Sequence, residues 1–179
     1  MKIYVIRHGQ TRLNKLMLMQ GRSDEPLDEV GISQAQEVRE KLKDIKFDAV
    51  FSSSLIRARK TAMIVSGVSE EELKIDDRII EFDFGPYEAK PYKHLGARMS
   101  MYWALPEIIP GPKGVERVKD AVKRVRSFLE ELGKNDYDNV LIVCHGGIIR
   151  VISGCLEGRR NGIRWRPRPQ NCEIREYEI

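Results

Sequence analysis

The sequence predicts an α/β fold: a single three-layer α/β/α arrangement with one mostly parallel sheet. Three observations carry that prediction. Short apolar runs of strand length alternate along the chain with longer stretches whose apolar residues recur at helical spacing. One run, Val140 to Cys144, is uninterrupted, as in a central strand covered on both faces. Two runs end alike: Ile3 to Ile6 leads into Arg7-His8-Gly9, and Val140 to Cys144 leads into His145-Gly146. In open α/β sheets ligands bind at the carboxyl ends of strands, where both histidines would then sit.

Residues 2–6 read as a buried strand, followed by a loop through Pro26. Asp28 is placed to cap a helix over 29–43, with Ile32, Ala35, Val38 and Leu42 on one face. Ala49-Val50-Phe51 is a second strand, and Ser52-Ser53-Ser54 is expected to cap a helix running to about Ser66. Lys74 to Ile80 holds a short extended segment. From Gly85 to Pro112, prolines at 86, 91, 106, 110 and 112 predict an irregular insertion, about 86–112, over one end of the sheet. Val115 to Leu132 has the pattern of a long amphipathic helix, with Val118, Val122, Val125 and Leu129 inward. The strand at Val140 follows, then a helix from Gly147 to Leu156 and an edge strand over 172–177.

The chain has 179 residues, enough for a sizeable core, and no apolar stretch near the roughly 20 residues of a membrane helix. Met1 stands almost directly on the first strand, which leaves no room for a secretory signal. The three cysteines are scattered and form no CxxC pair, which argues for a reducing, cytoplasmic setting and against a structural zinc site. The net charge of +4 is uneven: residues 159–179 hold six arginines and three glutamates, a net +3. Arg159, Arg160, Arg164, Arg166 and Arg168 could bind a polyanion, and Trp165 among them could stack on bases. A solvated loop, or a rim that attracts an anionic substrate, is the favoured reading, and nucleic acid is disfavoured.

Four blocks of residues carry a resemblance. The first is Arg7-His8-Gly9-Gln10-Thr11, with Asn14, Gln20-Gly21, Asp24, Pro26-Leu27, Gly31 and Gln34-Ala35. The second is Ser52-Ser53-Ser54-Leu55, Arg57-Ala58 and Thr61-Ala62; the third is Glu81, Phe84-Gly85 and Tyr87-Glu88; the fourth is His145-Gly146-Gly147 and Arg150. In this order they resemble the histidine phosphatase superfamily, also called the phosphoglycerate mutase-like family. The resemblance covers most of the chain and implies a single domain over residues 1–179.

Physical chemistry points the same way. A phosphate monoester needs several cations and donors that converge. Arg7 and Arg57 offer planar, permanently charged forks. Gly9 and Gly146 lack side-chain bulk where the backbone would approach the anion. Helix N-termini after residues 9, 54 and 146 could add amide donors. His8 can attack phosphorus if one ring nitrogen is bare and the other donates to a fixed acceptor.

The resemblance implies roles. His8 is the nucleophile, Glu81 the proton donor, and His145 the third catalytic residue. Arg7, Asn14, Arg57 and Gly146 hold the phosphate. Asp83 and Glu88 are competing carboxylates for the role of Glu81. Thr11, Gln20, Gly21, Tyr87 and Trp103 are candidate substrate contacts, although Thr11 and Gln20 could equally brace the loop. No metal and no cofactor are expected, because three histidines and no Asp/Glu cluster do not make a two-metal site.

Three departures from the family pattern stand out. The turn before the long helix reads Gly111-Pro112-Lys113-Gly114-Val115-Glu116, with its acid displaced; Asp28 replaces a threonine; and Lys15-Leu16-Met17-Leu18-Met19 is unusually apolar. The segments 15–19 and 86–109 are expected to face each other and line a pocket that prefers apolar leaving groups. The leading expectation is a metal-independent phosphatase acting on a small phosphorylated metabolite, without a membrane partner. The insertion is short for a mutase, which must shield its phosphoenzyme from water. A phosphoglycerate mutase-type transfer and a binding protein using the basic tail remain the alternatives, and homodimerisation is open.

Overall fold

The computed structural model of the chain describes residues 1–106 and 108–179. Its elements run β1 (Lys2–Arg7), α1 (Arg12–Lys15), α2 (Glu29–Leu42), β2 (Ala49–Ser52), α3 (Ile56–Ser66), β3 (Lys74–Ile75), α4 (Gly96–Ala104), α5 (Val118–Leu132), β4 (Asn139–Cys144), α6 (Gly146–Leu156) and β5 (Ile174–Glu178). The strands form one sheet in the order β3-β2-β4-β1-β5. The first four are mutually parallel, and β5 runs antiparallel along β1 at the edge.

Successive side chains of a strand point to opposite faces, and the two central strands divide accordingly. Ile3 and Val5 of β1, with Val140 and Ile142 of β4, pack against Val122, Val125 and Phe128 of α5 and Ile148, Ile149 and Ile152 of α6. Tyr4, Ile6, Leu141 and Val143 pack on the other face against Ala35, Val38 and Leu42 of α2 and Ala58, Ala62 and Val65 of α3. Two helical layers therefore cover one sheet. Between their end residues β1 and β4 are buried and almost wholly apolar, because neither face meets water.

Strand order positions the site. After β3 the chain returns to insert β4 between β2 and β1, so three carboxyl ends lie side by side. Arg7 is in register with Cys144, so the next residues, His8 and His145, emerge together. The His8 amide donates to the Cys144 carbonyl at 3.0 Å and the Ser53 amide to the Val143 carbonyl at 3.2 Å, which pins both flanking ends onto β4.

Some local expectations are corrected. Ser52, Ser53 and Ser54 do not cap α3; Leu55 holds the cap position without a side-chain bond. Asp28 does cap α2, accepting from the Gly31 amide at 2.8 Å. The insertion is less irregular than its prolines suggest, because α4 lies between Pro91 and Pro106 and buries Met99 and Tyr102. The extended stretch after Lys74 is only two residues long and passes into a 3-10 turn over Asp77–Ile79. In α5 the inward face is Ala121, Val122, Val125, Phe128 and Leu132, with Val118 and Leu129 at its margin. No helix among the described residues is long and apolar enough to cross a membrane.

Candidate active site

His8 sits one residue beyond β1, almost fully buried. Its Nδ1 lies 2.7 Å from the Gly9 carbonyl. A carbonyl can only accept, so Nδ1 carries the proton and Nε2 keeps its lone pair. Burial, then the charges of Arg57 and Arg7, hold the His8 pKa well below its ordinary value. The imidazole is neutral and nucleophilic at neutral pH.

The Gly9 amide is taken by Thr61 Oγ1 at 3.1 Å. A Cβ on Gly9 would collide with the backbone of Gly31. Gly9 is thus required by close packing on α2 rather than by an approaching anion, contrary to the sequence-based expectation.

Arg57, in the first turn of α3, is fully buried beneath His8. Its Nε donates to His8 Nε2 at 3.3 Å, and its two terminal nitrogens donate to the carbonyls of Ser23 and Gly21 at 2.6 Å each. Desolvation brings its pKa down to about 10, which leaves it charged at neutral pH. The loop that supplies those carbonyls is held by Glu88. Its carboxylate accepts from the amides of Gly21 at 3.0 Å and Arg22 at 2.9 Å and from the Ser23 hydroxyl. Glu88 is therefore a loop anchor, and Gly21 acts through its carbonyl on Arg57.

His145 is fully buried, with its ring centre 5.1 Å from that of His8. Its Nε2 lies 2.8 Å from Ser53 Oγ, which also accepts from the Leu55 amide at 3.3 Å. With the serine proton directed to Nε2, Nδ1 carries a hydrogen, and it has no partner among the described residues. Burial first, then Arg57, His8 and Arg7, keep the His145 pKa well below its ordinary value.

Glu81 approaches the start of α6. Its Oε2 accepts from the Gly147 amide at 3.0 Å and its Oε1 from the Phe82 amide at 2.9 Å. A Cβ on residue 147 would stand 2.5 Å from Glu81 Oε1 and from the Phe82 ring, so only glycine admits the carboxylate there. Burial raises the Glu81 pKa above its ordinary 4.5, against the lowering pull of the two amides, Arg57 and Arg7. A carboxyl so placed holds its proton to higher pH than an exposed one. Asp83 is drawn aside: its oxygen accepts from the Gly85 amide at 2.8 Å. The displaced acid, Glu116, pairs with Arg124 at 2.8 Å and accepts from the Asp83 amide, which braces the loop carrying Glu81.

Above these groups lies a cavity of about 790 Å³. Arg7, His8, Asn14, Gln20, Glu81 and Gly146 line it, and so does Trp103, all expected from the sequence. Arg57 and His145 are not among its lining residues, but both lie against His8. Thr11, Gly21 and Tyr87 are not among its lining residues. Thr11 is a brace: its hydroxyl caps α1 and donates to Gln20 Oε1 at 2.8 Å. Tyr87 packs against the core near Lys90, and Tyr92 takes the place at the cavity.

The segments 15–19 and 86–109 do meet, through the Tyr92 amide on the Met17 carbonyl at 3.1 Å and the Met19 amide on Lys90 at 2.9 Å. Of the described apolar side chains in these two segments, Met17, Tyr92 and Trp103 reach the cavity. Met19, Met99 and Tyr102 are core, and Leu16 and Met101 are exposed.

The wall that sequence reasoning missed is Trp165 to Pro169, together with Arg150. Arg150 belongs to the fourth sequence block, and helical spacing from Gly146 brings it to the same face of α6. Arg166 and Arg168 of the arginine-rich stretch line the cavity, whereas Arg159, Arg160 and Arg164 do not. Arg7 Nη1 donates to the Pro169 carbonyl at 2.8 Å, and Asn171 Nδ2 donates to the His8 carbonyl at 2.9 Å, so this rim is tied to β1. No three His, Cys, Asp or Glu side chains among the described residues are grouped to hold a metal ion.

Five buried nitrogens at this site, Arg7 Nε, Gln20 Nε2, Trp103 Nε1, His145 Nδ1 and Arg150 Nε, have no partner among the described residues. Buried donors are rarely left unpaired. Their concentration around one nucleophilic imidazole suits an oxyanion carrying several oxygens.

Comparison with known proteins agrees with this geometry. A "Putative phosphoserine phosphatase 2" of Hydrogenobacter thermophilus is 33% identical over 99% of this chain and 89% of its own length. A "Probable phosphoglycerate mutase GpmB" of Erwinia tasmaniensis is 29% identical over 97% of this chain and 83% of its own. The crystal structure of the α-ribazole phosphatase from Shigella flexneri superposes with a TM-score of 0.86 at 29% identity, covering all of this chain and 91% of that one. The family model for the histidine phosphatase superfamily (branch 1) matches residues 3–179, and the chain belongs to that superfamily.

Proposed function

We propose that this protein is a metal-independent phosphatase that hydrolyses a small phosphorylated metabolite through a phosphohistidine on His8. The observation that carries this reading is the unprotonated Nε2 of His8, which accepts only from Arg57 Nε among the described residues, beside unpaired buried donors. In the first step the Nε2 lone pair forms a bond to phosphorus and the P–O bond to the leaving alcohol breaks. Glu81 gives its proton to the departing oxygen. Arg7, Arg57 and the His145 Nδ1–H stabilise the equatorial oxygens, with Asn14 and the Gly146 backbone beside them. In the second step the Glu81 carboxylate takes a proton from water as that water attacks phosphorus. The P–N bond breaks, its electron pair returns to Nε2, and inorganic phosphate leaves.

Rapid quenching with labelled phosphomonoester tests the proposal. Label is expected on the peptide containing His8, in a bond that is acid-labile and base-stable. His8→Ala should not turn over, and wild-type activity should persist in EDTA. Label on serine or aspartate, or a requirement for added divalent metal, overturns the mechanism. Isomerisation of phosphoglycerate in the presence of a bisphosphate primer, faster than phosphate release, would make the protein a mutase instead.

A further inference from the structure

Helix α4 is apolar on two sides. It buries Met99 and Tyr102 against the core, yet its outer face carries Ala97, Met101 and, at the cap, Leu105, all exposed. A helix apolar beyond the face it buries has a second surface to cover. Ile108, just past this helix, is 77% exposed, and Leu16 and Met17 across the cavity mouth are each more than half exposed. Of nine large hydrophobic residues exposed among the described residues, these five gather in the two segments beside the cavity. Val30, Ile56, Ile75 and Ile179 stand apart on other elements. The two groups flank the same ridge. Met17 lines the cavity together with Trp165 and Arg166, and those two residues form a smaller cleft of about 280 Å³ with Leu105 and Ile108.

Charge is segregated in the same way. Residues 14–20, 90–109 and 158–169 hold nine lysines and arginines against one carboxylate, Glu107, whereas the remainder of the chain holds twenty-two against twenty-six. Arg159 and Arg164 share Glu157, and Arg98 stands on the outer face of α4 one turn before Met101. The aromatic residues decide between partners. Nucleic acid is held by rings free to stack. Trp165 is instead engaged: its Nε1 donates to the Trp103 carbonyl at 2.8 Å, and the Arg150 guanidinium covers its ring at 4.2 Å. The side chains that stand free are aliphatic, spread over a loop, a helix flank and the segment after it. They suit a fluid anionic surface, in which each finds its own depth while the cations meet phosphate headgroups.

We propose that this face docks on an anionic phospholipid bilayer, with Leu16, Met17, Met101, Leu105 and Ile108 entering the headgroup layer and the surrounding lysines and arginines on its phosphates. No helix among the described residues is long and apolar enough to cross a bilayer, so the contact is peripheral. It revises the expectation that no membrane partner is involved. The cavity opens on the same face.

The test is cosedimentation with vesicles of phosphatidylglycerol in phosphatidylcholine, beside vesicles of phosphatidylcholine alone. The anionic vesicles should bind at least about tenfold more strongly and release the protein as salt rises. Leu105→Ser combined with Ile108→Ser should weaken binding roughly tenfold or more. Arg98→Gln and Arg160→Gln should each weaken it about fivefold, while Val30→Ser binds as wild type. All these residues are exposed, and circular dichroism checks that each variant is folded. A second readout needs no substitution. Trp103 and Trp165 are the two tryptophans of the chain, so acyl chains brominated near the headgroup should quench its fluorescence on docking. No binding to anionic vesicles overturns the proposal, as does binding without quenching, which places the contact on another face. Salt-sensitive binding that survives the Leu105 and Ile108 replacements, or tighter retention on RNA than on vesicles, assigns the face to a soluble polyanion and overturns it too.

Discussion

Arg57 Nε donates to His8 Nε2 across 3.3 Å, so a cation occupies the lone pair that the proposed mechanism directs at phosphorus. Its other nitrogens are held by the Gly21 and Ser23 carbonyls, so the guanidinium is fixed in its plane before any ligand arrives. Phosphate binding has to draw that Nε–H from the imidazole to a phosphoryl oxygen. Arg57→Lys keeps a charge but cannot serve His8 and both carbonyls in one plane. We expect kcat to fall roughly a hundredfold or more, the usual loss for one preorganised donor. Steady-state kinetics beside a circular dichroism spectrum would check it, and a loss below about threefold would remove Arg57 from the chemistry.

The pH profile of kcat/KM follows from two opposite shifts. His8 must be neutral, and its pKa is held well below 6.5, so the acid limb lies below that value. Glu81 must be protonated for the first step, and its pKa is raised above 4.5, so its ionisation sets the alkaline limb. Glu81→Gln should abolish the alkaline limb and slow turnover of esters with poor leaving groups more than those with good ones. An unchanged alkaline limb in this variant would assign the acid to another group.

Glu88 touches neither His8 nor the cavity, yet it anchors the loop whose carbonyls hold Arg57. Glu88→Gln should lower kcat about tenfold, as misplacement of one oriented donor does. Because Arg57 contributes to the low His8 pKa, the acid limb should also move to higher pH. A fall in melting temperature with an unmoved limb would make Glu88 a purely structural anchor.

Stability should depend on pH through the two histidines. Their folded pKa values lie below the ordinary 6.5, so the unfolded chain binds more protons as pH falls through that value. Their contribution to stability is complete above pH 6.5 and is lost on acidification, by up to about 1.4 kcal/mol per pH unit for each histidine. Glu81 works the other way: with its folded pKa raised, its contribution is complete below 4.5 and is lost as pH rises through the folded value. Denaturant unfolding at a series of pH values should therefore show a steeper acid decline in wild type than in His145→Asn. Parallel declines would show that His145 is already protonated in the folded protein.

The parts of this site legible in the sequence are those whose residue type and local position coincide. Arg7, His8 and His145 end apolar runs, and a run of that kind reads as a strand wherever it lies. Ser53 was legible as a helix cap, a local role, and instead serves His145 across 92 residues of sequence. Prolines at 91 and 106 suggested an irregular insertion but bracket α4, because proline restricts helix interiors and not their flanks. Tyr87 ends one 3-10 turn and Tyr92 begins the next, and composition carries no information on which of them reaches the cavity. The rim from Trp165 to Pro169 reaches the cavity through long-range bonds to Arg7 and His8, which no periodicity encodes.

That rim has a consequence for divergence. The groups at the strand ends are fixed by the sheet, whereas Trp165 to Pro169 hang between α6 and β5 as a connection whose two ends are set independently. A connection of this kind can change length and composition without moving β1, β4 or the residues that follow them. Relatives sharing one phosphoryl-handling floor can thereby acquire different selectivities through exchange of a single surface segment, with the catalytic histidines left where they are.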